Sequence, residues 1–379
     1  MQGPYGPLTL MTTLIAAFSF QLLDPEHREW NTTAPTTRDI VIPSLEILGQ
    51  WRIVDDAMPV EDGGLINDTF TVGNPPRAIL QRVNPIFGPE VHDDIEAITA
   101  HLAARGVVTP RLIRTADGAL CVPTESGAWR LLTYLPGKTI HTIRSPQQAA
   151  SAAELIGRFH RATQDFEHTF RFVRPGAHDT VAHMNALRRA LDSSSGDPLE
   201  GPACTIGREV LRRWEDWTGS LDLPMRISHG DLKISNLRFD ESKTTARSLL
   251  DLDTLSHQSI AVEMGDAWRS WCNPAGEDTP EEARFDLEIF EASASSWLRH
   301  GPNLTDHERA NLVFGIERIC LELTARFCAD AINRCYFKED RRRFPTPGEH
   351  NIHRALGQLA VARSVHAQRL AAEHIVQSR

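Results

Sequence analysis

One stretch constrains this chain more than any other: Ile227–Asp253, which reads I-S-H-G-D-L-K-I-S-N-L-R-F-D-E-S-K-T-T-A-R-S-L-L-D-L-D. Its polar residues fall into two groups, each delivered by an apolar run. His229-Gly230-Asp231-Leu232-Lys233 comes first, and Asn236 follows Asp231 by five positions. Leu237-Arg238-Phe239 alternates as a short strand does, and Glu241–Arg247 is a polar turn. Ser248-Leu249-Leu250 then begins a second strand that delivers Asp251 and Asp253 at its end. The expected order is strand, loop, hairpin, strand, loop, with a carboxylate group on each loop.

Phosphoryl transfer calls for this arrangement. One carboxylate must orient the attacking hydroxyl and take its proton, and oxygen ligands must hold magnesium against the phosphates. Asp231 suits the first task. Asn236 and Asp251 suit the second, with Asp253 a candidate for a second ion or for capping its own loop. Lys233, two residues past Asp231, is placed to neutralise charge on the moving phosphoryl group. His229 is expected to shape the loop rather than act as the base.

H-G-D-L-K-x-x-N followed by L-L-D-L-D resembles the aminoglycoside phosphotransferase-like kinases, which share the protein-kinase fold. Ile66-Asn67-Asp68-Thr69-Phe70 and Ile79-Leu80-Gln81-Arg82-Val83-Asn84 bring the chain closer to the branch with bacterial N-acetylhexosamine 1-kinases. Arg326-Phe327, Tyr336-Phe337 and Gly348-Glu349-His350-Asn351 do the same. The resemblance covers residues 45–365. It implies an α+β, two-lobed protein-kinase-like fold: a small antiparallel sheet lobe, then a helical lobe. Residues 1–44 are then an extension and linker, 45–135 the nucleotide-binding lobe, and 136–379 the catalytic and acceptor-binding lobe. ATP and magnesium are the implied cofactors, and the partners are a nucleotide and a small hydroxyl acceptor. Arg82, Asn67 and Thr69 are implied at the phosphates, the backbone near Thr133–Leu135 at the adenine, and Arg326 and Tyr336 at the acceptor. That acceptor is a sugar or amino sugar, phosphorylated on a hydroxyl such as the anomeric one. An aminoglycoside-like antibiotic, choline, homoserine or a biosynthetic intermediate is the alternative.

The chain departs from the wider kinase pattern in two places. It has no G-x-G-x-x-G, only Gly63-Gly64, and no V-A-I-K lysine, so Arg82 is the candidate for that position, with Gln81 the other residue able to face the cleft. Asp93, Asp94 and Glu96 are candidates to anchor it. H-R-D, D-F-G and A-P-E are all missing, which argues against a protein kinase. Asp231, Asn236 and Asp251 together argue against a pseudokinase that only binds nucleotide.

A net charge of −10 over 379 residues argues against general binding to nucleic acid or anionic membranes. Six cysteines with no C-x-x-C fit a reducing cytoplasm. Leu8–Leu23 is short for a bilayer span and has no basic residue before it, so a signal peptide is not expected, and Met11 is an alternative start. Along the chain, Trp51–Met58, Ile66–Val72, Arg77–Val83, Arg111–Ala116, Leu120–Thr124 and Ala128–Tyr134 read as strands. Pro89–Arg105, Pro146–Gln164, Thr180–Leu191, Ile206–Trp217, Glu281–Arg299, Asp306–Asn333 and Asn351–Ala372 read as helices. His160 falls on an apolar helix face as a core histidine. Asp266 is the candidate to brace the catalytic loop.

Overall fold

The computed structural model describes residues 41–60, 66–174, 176–194, 200–276, 279–334 and 343–379. Leu8–Leu23, Met11, Gly63-Gly64, Cys335 and Tyr336-Phe337 lie outside those residues.

A short helix, α1 (Leu45–Gly49), leads into an antiparallel sheet of β1 (Ala57–Pro59), β2 (Asp68–Val72), β3 (Ala78–Val83), β4 (Leu112–Ile113), β5 (Val122–Thr124) and β6 (Gly127–Thr133). Its order is β1-β2-β3-β6-β4, with β5 also on β6. The two faces of this sheet differ, and the register decides which residue lies on which. Phe70, Leu80 and Leu131 sit opposite one another, as do Asp68, Arg82 and Trp129. Together with Val72 and Ala78 they form the outer face, whose apolar members make one small core with Ile47, Leu48 and Trp51. The inner face carries Thr69, Gln81 and Arg130 in one row. Its Val83 and Leu132 belong to the large core of the helical lobe.

Helix α2 (Val91–Ala104) lies between the lobes and buries Val91, Ile95, Ile98 and Leu102, spaced as one helical stripe. The helical lobe follows: α3 (Pro146–Thr163), α4 (Thr180–Asp192), α5 (Glu200–Glu215), α6 (Ile260–Trp271), α7 (Leu287–His300), α8 (Asp306–Asn333) and α9 (Pro347–Gln377). Two small sheets carry the loops of interest. β7 (Lys138–Thr139), β9 (Leu237–Phe239) and β10 (Ala246–Leu249) form one, and β8 (Met225–Ser228) pairs with β11 (Ser256–Ser259) in the other.

Helix α8 is the axis of this lobe, packed against α4, α5, α6 and α9. Its contact with α6 is backbone on backbone. A Cβ on Gly315 would lie 2.0 Å from the Ala261 carbonyl oxygen, and one on Gly265 would lie 2.5 Å from that of Gly315. Only hydrogen on both sides permits that approach, which sets the height of α6 beneath the catalytic loop. Capping boxes at Thr305/Glu308 and Thr346/Glu349 start α8 and α9.

Five expected elements differ. Helix α5 begins at Glu200, six residues before the expected Ile206, and α7 begins at Leu287, six residues after the expected Glu281. Trp51–Met58 is not one strand; Arg52 takes a left-handed conformation and only Ala57–Pro59 pairs. Arg111–Ala116 shortens to Leu112–Ile113, because Thr115 closes a turn by bonding Asp117 and receiving the Ala119 amide. The last helix starts four residues earlier than expected, at Pro347, where proline is pre-set for a first helical turn. Helix α6 was not read as a helix from the sequence. It is buried nearly all round, with only Asp266 and Ser270 partly exposed.

Candidate active site

The strand β8 ends at Ser228, and the chain then turns through Gly230, whose φ is +78°. A Cβ there would meet the Thr254 carbonyl oxygen at 2.5 Å, so glycine is needed for both conformation and space. His229 is fully buried under this turn. Its Nε2 lies 2.7 Å from the Leu250 carbonyl oxygen and its Nδ1 accepts the Asp231 amide at 3.3 Å. Both ring nitrogens are therefore used within the loop, and His229 ties the two loops together.

Asp231 is partly exposed on the cleft side. Lys233 Nζ donates to its Oδ2 at 2.7 Å, and Asn236 Nδ2 donates to its carbonyl oxygen at 2.8 Å and to Oδ2 at 3.2 Å. Burial alone would lower the Lys233 pKa, but Asp231, Asp251 and Asp266 outweigh it and hold the ammonium charged. Asn236 spends its NH2 on Asp231, which leaves Oδ1 as its acceptor for a cation.

Asp251 adopts φ 57° and ψ 68°, a left-handed conformation that costs a non-glycine residue about 1–2 kcal/mol. It keeps solvent access on one side while protein crowds the others, as at the floor of a cleft. That crowding raises its pKa; Lys233 opposes the shift, and the nearby charges of Asp253 and Asp231 add to it. A carboxylate beside an amide oxygen suits a divalent cation with oxygen ligands, so Asp251 and Asn236 fit magnesium. Among the described residues no cluster of three or more His, Cys, Asp or Glu is preformed for a metal.

Asp253 is placed otherwise. Its side chain is 1% exposed, and both oxygens are taken. Arg130 bonds both, with Nη2 to Oδ2 at 3.0 Å, and Asn67 Nδ2 also donates to Oδ2 at 2.8 Å. Arg130 and Asn67 hold its pKa down despite burial. Arg130 also donates to Gln81 Oε1 at 2.8 and 3.0 Å, and Gln81 donates to Thr69 Oγ1 at 3.1 Å. Asn67, Thr69, Gln81, Arg130 and Asp253 thus form one network across the inner sheet face.

Arg82 is not part of it. Alternation places it on the outer face, directly opposite Asp68, with which it forms a buried 2.6 Å ion pair. It bonds the Ser126 carbonyl oxygen as well. The acids expected to anchor it are engaged elsewhere. Asp94 receives the Arg171 and Phe172 amides and pairs with His168, Asp93 pairs with Arg171, and Glu96 pairs with Arg114.

The loop brace is Glu263 rather than Asp266. Glu263 Oε1 accepts the His229 amide at 2.7 Å and Oε2 the Gly230 amide at 3.0 Å. His160 Nε2 lies 3.3 Å from Oε1, while Trp297 Nε1 donates to His160 Nδ1 at 3.0 Å. Burial would raise the Glu263 pKa, but these donors, His160 foremost, hold it below the usual carboxylate range. Asp266, one turn further along α6, pairs with Arg269 at 2.8 Å and faces Lys233 and His178 electrostatically. Glu263→Gln places an NH2 against one of three donors and leaves one buried donor unmet, at a cost of about 1–3 kcal/mol. The expected result is a kcat lowered by up to about 10²-fold through displacement of the loop, with KM for ATP little changed. Steady-state kinetics check this, and a wild-type kcat would remove Glu263 from its role.

Thr133 ends β6 with its hydroxyl and amide both bonded to Arg111, and Leu135 is half-buried just beyond. Arg326 is buried on α8, where it is felt by His178 and His183. Glu322, one turn earlier, receives His178 at 3.0 Å and Thr180 at 2.5 Å. Burial would raise the Glu322 pKa, but His178, His183 and Arg326 hold it down, while burial lowers His183 to about 4. Tyr336 lies outside the described residues.

A profile of the phosphotransferase enzyme family, typified by the aminoglycoside phosphotransferases, matches residues 58–301. The chain belongs to this family. Its fold is α+β, a small antiparallel sheet lobe followed by a helical lobe. A homoserine kinase from Xanthobacter autotrophicus is 25% identical over 193 residues, 51% of this chain and 57% of that protein. The chain spans about half the length of the curated relatives it matches. Among solved structures, a microcompartment-associated aminopropanol kinase superposes with a TM-score of 0.59 at 16% identity, covering 87% of this chain and 97% of the other. An amicoumacin kinase in complex with AMP-PNP, Ca2+ and Ami gives 0.51 at 13% identity, over 80% and 87%. Such distant likenesses show the fold. Among the described residues no helix is long and apolar enough to cross a membrane.

Arg130, and Glu263 in its role as the loop brace, were not singled out from the sequence. Each is a lone charge inside an apolar run, Ala128–Leu132 and Ile260–Met264, and that mismatch is the signal that could have found them.

Proposed function

We propose that this chain is an ATP-dependent, magnesium-requiring kinase that phosphorylates a hydroxyl of a sugar or amino sugar: ATP + R–OH → ADP + R–O–phosphate. One observation carries the kinase chemistry: Asp231, bonded by Lys233 and Asn236, stands beside a left-handed Asp251. Asp231 Oδ orients the acceptor O–H and takes its proton as the oxygen bonds to phosphorus and the ADP oxygen departs. Lys233 then moves its charge toward the transferred group. Asn236 Oδ1 and Asp251 would hold magnesium, which when bound neutralises the phosphates. Because the Thr133 amide and hydroxyl are already used, the adenine contact falls to the backbone of Tyr134 and Leu135.

The sugar reading is supported by fixed donors and acceptors on the α4 and α8 side: His178, Thr180, Glu322 and Arg326. Within this cluster Glu322 is already met by His178 and Thr180, so the acceptor contact proposed here is Arg326. The second reading is a small amino alcohol or hydroxy amino acid, favoured by the names of the homoserine and aminopropanol kinases above. ADP release measured over hexoses, N-acetylhexosamines, aminoglycosides, choline and homoserine separates the two. Arg326→Ala is expected to lower kcat/KM for the sugar by about 10–150-fold, the loss of one charged hydrogen bond. KM for ATP should stay within about threefold. No stimulation by any sugar, with turnover of an amino alcohol, overturns the sugar reading and leaves the kinase reading standing.

A further inference from the structure

We propose that Arg130, Asp253 and Asn67 form a latch between the lobes, in which Asp253 is a positioning residue that holds the Asp251 turn and is not a second metal ligand. The inference rests on the kinase reading above for its consequences, but its geometry is independent of any acceptor.

Three observations carry it. First, Asp253 is buried and its charge is already matched: Arg130 bonds both oxygens, and Asn67 shares one of them. A carboxylate bound by the fork of a guanidinium is held in one plane as well as neutralised. Second, the partners come from the other lobe. Arg130 stands on β6 and is itself held by Gln81 of β3, while Asn67 leads into β2 and accepts the Asn84 amide at 2.9 Å. The Leu252–Thr254 turn thus hangs from the inner face of the sheet, with α2 against its side. Third, Asp251 begins that turn in a left-handed conformation. Such a conformation persists only where the surroundings over-determine it. Below, the His229–Leu250 bond fixes the chain just before Asp251; above, the Arg130–Asp253 pair fixes it just after. Asp251 is held from both sides, once by each lobe.

The mechanism this implies is mechanical. Moving the sheet relative to the helical lobe strains Asp253 and so tilts Asp251, which couples the nucleotide-covering sheet to the metal-binding carboxylate. Among the described residues no lysine stands on β3. The cation of the inner sheet face is Arg130, and it points its charge at the turn.

Hydrogen exchange of the Leu255 amide, which closes the turn onto Leu252, reads the latch without nucleotide or acceptor. Arg130→Met and Asn67→Ala are each expected to speed it by at least about tenfold, while amides in the middle of α8 keep their rates. Arg130→Lys, which keeps charge but loses the fork, falls between. With AMP-PNP present, Mn2+ binding followed by electron paramagnetic resonance is expected to keep the wild-type stoichiometry in Asp253→Asn, while affinity weakens about equally in Asp253→Asn and Arg130→Met. In turnover, Arg130→Met and Asp253→Asn should each lower kcat/KM for ATP, and the double variant should be no worse than the worse single one. Unchanged exchange in both Arg130→Met and Asn67→Ala overturns the latch. So does the loss of one bound ion in Asp253→Asn that Arg130→Met retains. If Arg130→Met does not fold, Arg130→Lys and Asn67→Ala decide the question by the same two readouts. Failure of every acceptor to be phosphorylated would overturn the kinase reading and leave the exchange result intact.

Discussion

Asp231→Asn is expected to lower kcat by about 10²–10⁴-fold, the usual contribution of a positioned base, while nucleotide affinity stays nearly intact. Asparagine preserves the size of the side chain and one acceptor for the Asn236 or Lys233 donors. It removes the oxygen that takes the acceptor proton, and it removes the negative charge that draws Lys233 across at 2.7 Å. Because the transition state of phosphoryl transfer is loose, the proton moves late and base strength matters less than placement. The loss is therefore expected toward the lower part of that range if Lys233 remains in place, and toward the upper part if Lys233 swings away. Single-turnover kinetics with AMP-PNP competition separate chemistry from binding. A kcat close to that of the wild type would remove Asp231 from the role of base.

Asp251→Ala is expected to abolish the enhancement of nucleotide binding by magnesium. The carboxylate stands at the floor of the cleft, crowded by Asp231 and Asp253 and opposed by Lys233. Lys233 offsets part of that local excess of negative charge, and a divalent cation relieves the rest. Alanine also pays the left-handed backbone cost of about 1–2 kcal/mol with no side chain to compensate. Asp251→Asn is the control, since asparagine tolerates that conformation and retains a neutral oxygen ligand. Calorimetry with a non-hydrolysable ATP analogue, with and without magnesium, reads both variants. The expected order of magnesium enhancement is wild type, then Asn, then Ala with none. An unchanged enhancement in Asp251→Ala would show that another group binds the metal.

Much of this site was legible in the chain. Phosphoryl transfer was read from Asp231, Lys233, Asn236 and Asp251 because their spacing is local: one loop and one hairpin deliver all four, so sequence distance and spatial distance nearly coincide. The same holds for the helices expected at Pro89–Arg105, Pro146–Gln164 and Asp306–Asn333, whose caps and apolar stripes are set by neighbours three and four residues apart.

What pairs across the fold was decided only by tertiary structure. Arg82 and Gln81 are adjacent, and a strand sends adjacent side chains to opposite faces. Which face meets the cleft depends on where α1 and the helical lobe pack, information that the strand itself does not hold. Asp68 opposite Arg82 then claims the charge, and Arg130, three strands later in the chain but on the neighbouring β6, supplies the cation of the inner face. The brace under the catalytic loop moved from Asp266 to Glu263 for a similar reason. Both stand on α6, but the close approach of Gly265 to Gly315 sets the rotation and height of that helix, and Glu263 is the one left beneath the His229 and Gly230 amides. The sequence by itself thus determined the reaction class through residues close along the chain. The partners of Asp253, Arg82 and Glu263 lie between 14 and 186 residues away in the chain and were decided by packing, because burying a charge forces a choice among partners that only the assembled fold presents.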